Sequence, residues 1–176
     1  IKPNSRICIV FTDITRATPN ERLIPWLLDY LADVPRENIT LLNGTGTHRP
    51  NTPAELDRML TPQVARHYRI INHECEDDST LVQVGSLSDG TPALLNRHLV
   101  QAQVKIITGF IEPHFFAGFS GGPKGIMPGV AGLKTIMSNH GSQNLSHPNA
   151  TFGLMEGNPL WEEMRDVALR AGPSFL

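Results

Sequence analysis

Short apolar runs alternate along this chain with segments whose apolar residues recur every three or four positions. "RICIVF" (6–11), "NITLLN" (38–43), "RIINHE" (69–74), "LVQVGSL" (81–87) and "VKIITGF" (104–110) are β-branched or apolar and end at turn residues, which predicts strands. Between them, 20–34, 52–68 and 91–102 carry helical spacing, and the last two open on Thr-Pro, a usual cap and first-turn pair. "VAGLKTIMSNH" predicts a short helix ending near His140. A longer one starts at Asn158-Pro159, with Leu160, Trp161, Met164, Val167 and Ala168 on one broad face and Leu169 beside it. Strand and helix in repeated alternation predict an α/β fold: a doubly wound, mostly parallel sheet with helices on both faces, Rossmann-like. The step from 69–74 to 81–87 lacks a helix and predicts a hairpin or an edge.

The chain has 176 residues, 40% of them hydrophobic, enough for one core, so 1–176 is read as a single α/β domain. A formal charge of −2 provides no bulk attraction to nucleic acid or to an anionic membrane, so any bound anion must be held locally. Cys8 and Cys75 lack metal-type spacing and read as core or near-core thiols in a reducing, cytoplasmic compartment. No apolar run approaches the roughly 20 residues of a membrane helix. The chain begins on "IKPNS" directly before a strand and stops at "AGPSFL", where a further strand is expected. A piece of a longer polypeptide is predicted.

In a sheet of this kind ligands bind beyond the carboxyl ends of the strands. After the first strand come Asp13, Thr15 and Arg16; after the second, "GTGTHRP" with Gly44, Gly46 and His48; after the last, "IEPHFFAGFSGGPKG" with Glu112, His114, Ser120, Gly121, Gly122 and Lys124. Each has a plain structural reading. Asp13 and Thr15 suit a helix cap, Arg16 a surface charge, and Gly-x-Gly alone falls short of a dinucleotide fingerprint. His67, His73, His98 and His147 are read as surface, helical or loop histidines. The convergence of three segments on one edge favours function for His48 and His114.

Residues 114–132 hold six glycines, two prolines, one histidine and one lysine. Such a loop can bring backbone amides close to an anion, and its lysine can bind phosphate or, with its charge suppressed, act as a nucleophile. Gly125 after Lys124 rules out a Walker A loop.

"FTDITR", "GTGTHRP", "EPHFFAGFSGGPKGIMPG" and "SNH", in order from about residue 8 to residue 141, together resemble the nickel-pincer lactate racemase family of 2-hydroxyacid racemases and epimerases. The resemblance implies a nickel pincer nucleotide attached through Lys124, with His140 as a nickel ligand. It implies His48 and His114 as the acid/base pair, and Asp13, Thr15, Arg16, Gly44, Gly46, Ser120, Gly121 and Gly122 beside cofactor or substrate. The implied substrate is a small 2-hydroxy acid, whose carbon-bound hydrogen leaves as hydride while an imidazole takes the hydroxyl proton, a role that suits a group titrating near neutral pH. On this view the glycines let Lys124 meet the cofactor unobstructed. The implied partners are cofactor-building enzymes and a C-terminal domain that closes the cleft. Two other readings of the residues stay open: a zinc hydrolase using His48, His114 and His140 with Glu112 as base, and a non-enzymatic nucleotide- or anion-binding module.

Overall fold

The computed structural model describes residues 1–176. Its centre is a parallel sheet of four strands, β1 (Ile7–Thr12), β2 (Ile39–Gly44), β3 (Arg69–Asn72) and β6 (Val104–Ile107), in the order β3-β2-β1-β6. A two-stranded antiparallel ribbon, β4 (Leu81–Ser86) with β5 (Pro92–Asn96), packs beside it. Alternation along β1 divides its side chains between two cores. Ile7, Ile9 and Phe11 pack with Leu41 of β2 and Ile106 of β6, under α1 (Asn20–Tyr30), α2 (Pro53–Leu60) and α3 (Pro62–His67). Cys8 and Val10 face the other way, with Leu42 and Ile107. There they meet the ribbon, α4 (Arg97–Val100), α5 (Leu133–Asn139) and α7 (Pro159–Ala171). Helices therefore cover both faces, the doubly wound arrangement that the alternation predicts.

Three predicted elements differ in detail. Residues 91–102 form β5 and one turn of α4, because Asp89 and Gly90 (φ +87°) reverse the chain and the short run 93–95 pairs with β4. A run of that length is compatible with a buried strand or a helix, and its tertiary partners decide. The amide of Leu94 donates to Thr135 Oγ1, and that of Asn96 to Val130 O. The predicted helix 52–68 is two helices, broken at Thr61 (φ +74°, ψ +147°), whose hydroxyl accepts from Val64 N. Between the readings left open for 69–74, β3 is the edge strand of the parallel sheet.

The opposite edge, β6, is also paired. Ile107 N donates to Phe175 O, and the amides of Ser174 and Phe175 both donate to Lys105 O, so the residues after α7 lie alongside β6 in parallel. A further turn of helix, α6 (Ser142–Leu145), precedes the loop into α7. No helix is long and apolar enough to cross a membrane.

Candidate active site

The carboxyl ends of β1, β2 and β6 open into a cleft of about 300 Å³. It is lined by Asp13, Arg16, Gly44, Gly46, His48, His114, Ser120, Gly121, Lys124 and His140. Thr15 and Gly122 lie outside this lining. Among the wall residues that strand-end reading misses are Thr108, Phe110 and Phe116. Thr108 sits at the end of β6, inside the run read as strand. Phe116 follows His114 by two positions and reads as an ordinary core residue.

On the β1–β2 side, Asp13 is almost wholly buried, with its side chain 4% exposed, and its Oδ2 lies 2.7 Å from His48 Nδ1. The other carboxylate oxygen accepts from Thr15 Oγ1 at 2.7 Å and from the Thr15 amide. Arg16 donates to Thr15 Oγ1 at 3.2 Å and leaves the carboxylate to the imidazole. A buried carboxylate needs donors, so Nδ1 of His48 carries a proton and Nε2 is the free nitrogen. Thr15 thus shapes the site from behind rather than from its wall.

The loop bearing His48 is tied down on both flanks. Gly46 takes φ +56°, and its amide donates to Gly129 O at 2.9 Å, so that N–H is committed to the opposite loop and not free for a phosphate. Downstream, Asn51 Oδ1 accepts from Ile14 N and from Asn43 Nδ2, joining the loops after β1 and β2. Arg49 forms a two-point contact with Glu55, which also accepts from Thr52 N as part of the α2 capping box. His73, directly after β3, is a loop histidine but not a surface one. It is fully buried, with Nε2 donating to Ala131 O at 2.9 Å and Nδ1 accepting from Asn96, and burial lowers its pKa.

On the other wall a ribbon of two residues per strand, β7 (Pro113–His114) and β8 (Gly118–Phe119), carries His114. Ser120 is the rivet of this loop: its hydroxyl donates to Phe110 O at 2.8 Å and accepts from Glu112 N. Lys124 follows on a tight turn, Gly122–Gly125, and His140 closes the carboxyl end of α5. The glycines here serve the chain's own packing. A Cβ at Gly125 would stand 2.5 Å from Ile107 Cγ2, and one at Gly129 would overlap the Gly125 carbonyl. Gly122, by contrast, would place a Cβ no nearer than 4.0 Å to any neighbour, at Leu176 Cδ2.

Burial, with Arg16 nearby, lowers the Lys124 pKa to about 8 against a weaker pull from Glu112. Burial also lowers His114 to about 4, helped by the charges of Lys124, Arg16 and His140. His140 is lowered by burial and by Lys124. The two walls are electrostatically opposite: one imidazole is backed by a carboxylate, the other is flanked by cations and held neutral. No three His, Cys, Asp or Glu side chains cluster closely enough to hold a metal ion together, so the three-histidine zinc site has no ligand set.

Residues 1–153 match the family model described as lactate racemase N-terminal domain. The chain belongs to that family. Lactate racemase from Lactiplantibacillus plantarum is 38% identical over 171 residues, and lactate racemase from Thermoanaerobacterium thermosaccharolyticum is 34% identical. Both alignments cover 97% of this chain and 40% of the relative, so the chain spans well under half of their length. The solved lactate racemase apoprotein from T. thermosaccharolyticum superposes with a TM-score of 0.91 at 32% identity, covering 98% of this chain and 42% of that one. A solved protein from Thermotoga maritima superposes with a TM-score of 0.82 at 25% identity, over 94% of this chain and 43% of its own.

Proposed function

We propose that this chain is the cofactor-holding and proton-handling part of a 2-hydroxyacid racemase or epimerase with lactate as the first substrate to test. The observation that carries the reading is the pair of opposed imidazoles, His48 on Asp13 and His114 beside Lys124, on the two walls of one cleft. Inverting a carbon that bears a hydroxyl by this route requires its hydrogen to leave as hydride and return to the opposite face of the planar keto acid, while a base takes the hydroxyl proton of either enantiomer and gives it back, and a histidine on each wall supplies the two bases. Asp13 faces the positive charge that His48 gains when Nε2 accepts a proton. His114, kept neutral, is ready to accept one from the opposite enantiomer. The half-exposed Arg16, at the same mouth, suits the substrate carboxylate through its guanidinium.

The side chains present fit a nickel pincer nucleotide. His140 offers an imidazole whose buried Nδ1 makes no hydrogen bond of good geometry, and Lys124 offers an amine that burial makes easier to deprotonate and acylate. Imidazole suits nickel, and the cofactor, when bound, supplies the acceptor for hydride from carbon 2. Acylating Lys124 would remove one of the charges that depress His114, so attachment itself would bring that imidazole back toward its ordinary range. The remaining part of the relatives' length is proposed to supply the domain that closes the cleft.

The test uses the full-length protein produced together with cofactor-building enzymes. Intact mass is expected to rise by one cofactor and lose that increment in Lys124→Ala, with near-stoichiometric nickel in the unsubstituted protein. His48→Ala and His114→Ala are each expected to keep nickel and lose lactate racemisation by at least about 100-fold, the lower range for removing a general acid/base. An unmodified, nickel-free chain, or racemisation that survives both histidine substitutions, would overturn the reading.

A further inference from the structure

Phe116 stands between two imidazoles. Its ring centroid is 4.6 Å from that of His114, with the planes at 84°, and 5.4 Å from that of His140, with the planes at 89°. Both are T-shaped contacts, the edge-to-face arrangement that aromatic rings favour. Its neighbour Phe115 is 82% exposed, so the two phenylalanines of "HFFAG" have separate fates.

Hydrogen bonds do little to orient either imidazole. His140 Nδ1 is buried with the Ile136 carbonyl beside it but no hydrogen bond of good geometry, and His114 Nδ1 accepts only a 3.4 Å contact from Ala117 N. Histidines that serve metals or move protons are ordinarily aimed by a carboxylate or carbonyl on the second nitrogen, as Asp13 aims His48. The backbone that carries the wedge ring is itself anchored. Asn158, fully buried at the start of α7, donates from Nδ2 to Phe116 O at 2.9 Å and to Leu154 O, while its Oδ1 caps the amides of Leu160 and Trp161.

We propose that Phe116 is a positioning residue shared by His114 and His140, an aromatic wedge that sets the direction of both rings and is locked by the Asn158 cap of α7. The contribution to turnover rests on the racemase reading; the contribution to ring order does not.

The experiment labels the histidines of the chain with carbon-13 and measures ring order parameters by relaxation, alongside thermal unfolding. In the native chain both rings are expected in the rigid range, near about 0.85. Phe116→Leu keeps an apolar side chain without the ring, and both are expected to fall together toward the flexible range below about 0.6 while His48 is unmoved. Phe116→Tyr is expected to restore both. Should Phe116→Leu lose cooperative unfolding, Asn158→Asp carries the test, because it keeps the cap acceptors and removes the donor to Phe116 O. Coupled loosening of the two rings is again expected. Two rings that stay rigid, or only one that loosens, overturn the proposal. In the full-length, cofactor-loaded enzyme, Phe116→Leu is expected to lower kcat about 100-fold with a smaller change in KM, and Phe116→Tyr to recover it. An equal kcat in Phe116→Leu overturns the wedge, whereas native enzyme that racemises no 2-hydroxy acid overturns the racemase reading and leaves the ring-order result standing.

Discussion

His114 lies where burial and neighbouring cations act in the same direction, and this has a consequence for stability that can be measured without any cofactor. Its pKa is about 4 in the folded chain, against about 6.5 for a free imidazole. Between those values the unfolded chain binds more protons, so stability is fully present above about pH 6.5 and is lost as pH falls toward 4. His114→Gln removes this share. Melting temperatures at pH 6.5, 5 and 4 are expected to decline less in the variant than in the native chain, and an equally steep decline would refute the assignment. His73, His98 and His140 are lowered in the same direction and leave a residual slope in both. At this scale the sequence was partly legible. Asp13, His48, His114 and Lys124 follow strand ends or sit in a glycine-rich loop, and the cleft gathers them. Phe116 was not legible, since a phenylalanine becomes a wedge only through partners two and twenty-four positions away. The buried bonds of His73 to Ala131 and Asn96 are equally long-range.

Among the elements, the α2–α3 junction carries local strain. Thr61 holds φ +74° and ψ +147°, a region that favours glycine and costs other residues about 1–3 kcal/mol. Glycine at a helix N-cap gives up only a few tenths of a kcal/mol relative to threonine. Allowing for the greater freedom of glycine in the unfolded chain, Thr61→Gly is expected to stabilise by about 1 kcal/mol. The check is a higher urea midpoint with an unchanged slope. A lower midpoint would mean that the hydroxyl bond to Val64 N matters more than the backbone. The junction also shows why periodicity merged two helices. Leu56, Met59, Leu60 and Val64 keep helical spacing across the break because all face one core, so the pattern reports the surface they share and not the backbone between them. Residues 93–95 were misread for a related reason: Ala93 and Leu95 are buried and Leu94 between them is half-buried, and an all-apolar run lacks the alternation of residue type that marks a half-exposed strand.

For the molecule as a whole, the strand–helix order foretold the sheet and its two covered faces, because period-two burial in β1 demands a core on each side. Which segments cover the second face was not readable. That face is assembled from the ribbon, the glycine-rich loop and α7, elements far apart in sequence. The tie between β6 and residues 174–175 bears on how the protein behaves in a crowded solution. Val104, Ile106 and Ile107 make β6 a short β-branched template, and an open strand of that kind recruits other chains. Removing Ser174–Leu176 would bare its backbone donors and acceptors, leaving Lys105 as the one charge to deter a neighbour. Light scattering from the trimmed chain is expected to grow with concentration and time at temperatures well below unfolding. A trimmed chain that stays monodisperse would show that Lys105 suffices, and that residues 174–176 guard nothing against self-association.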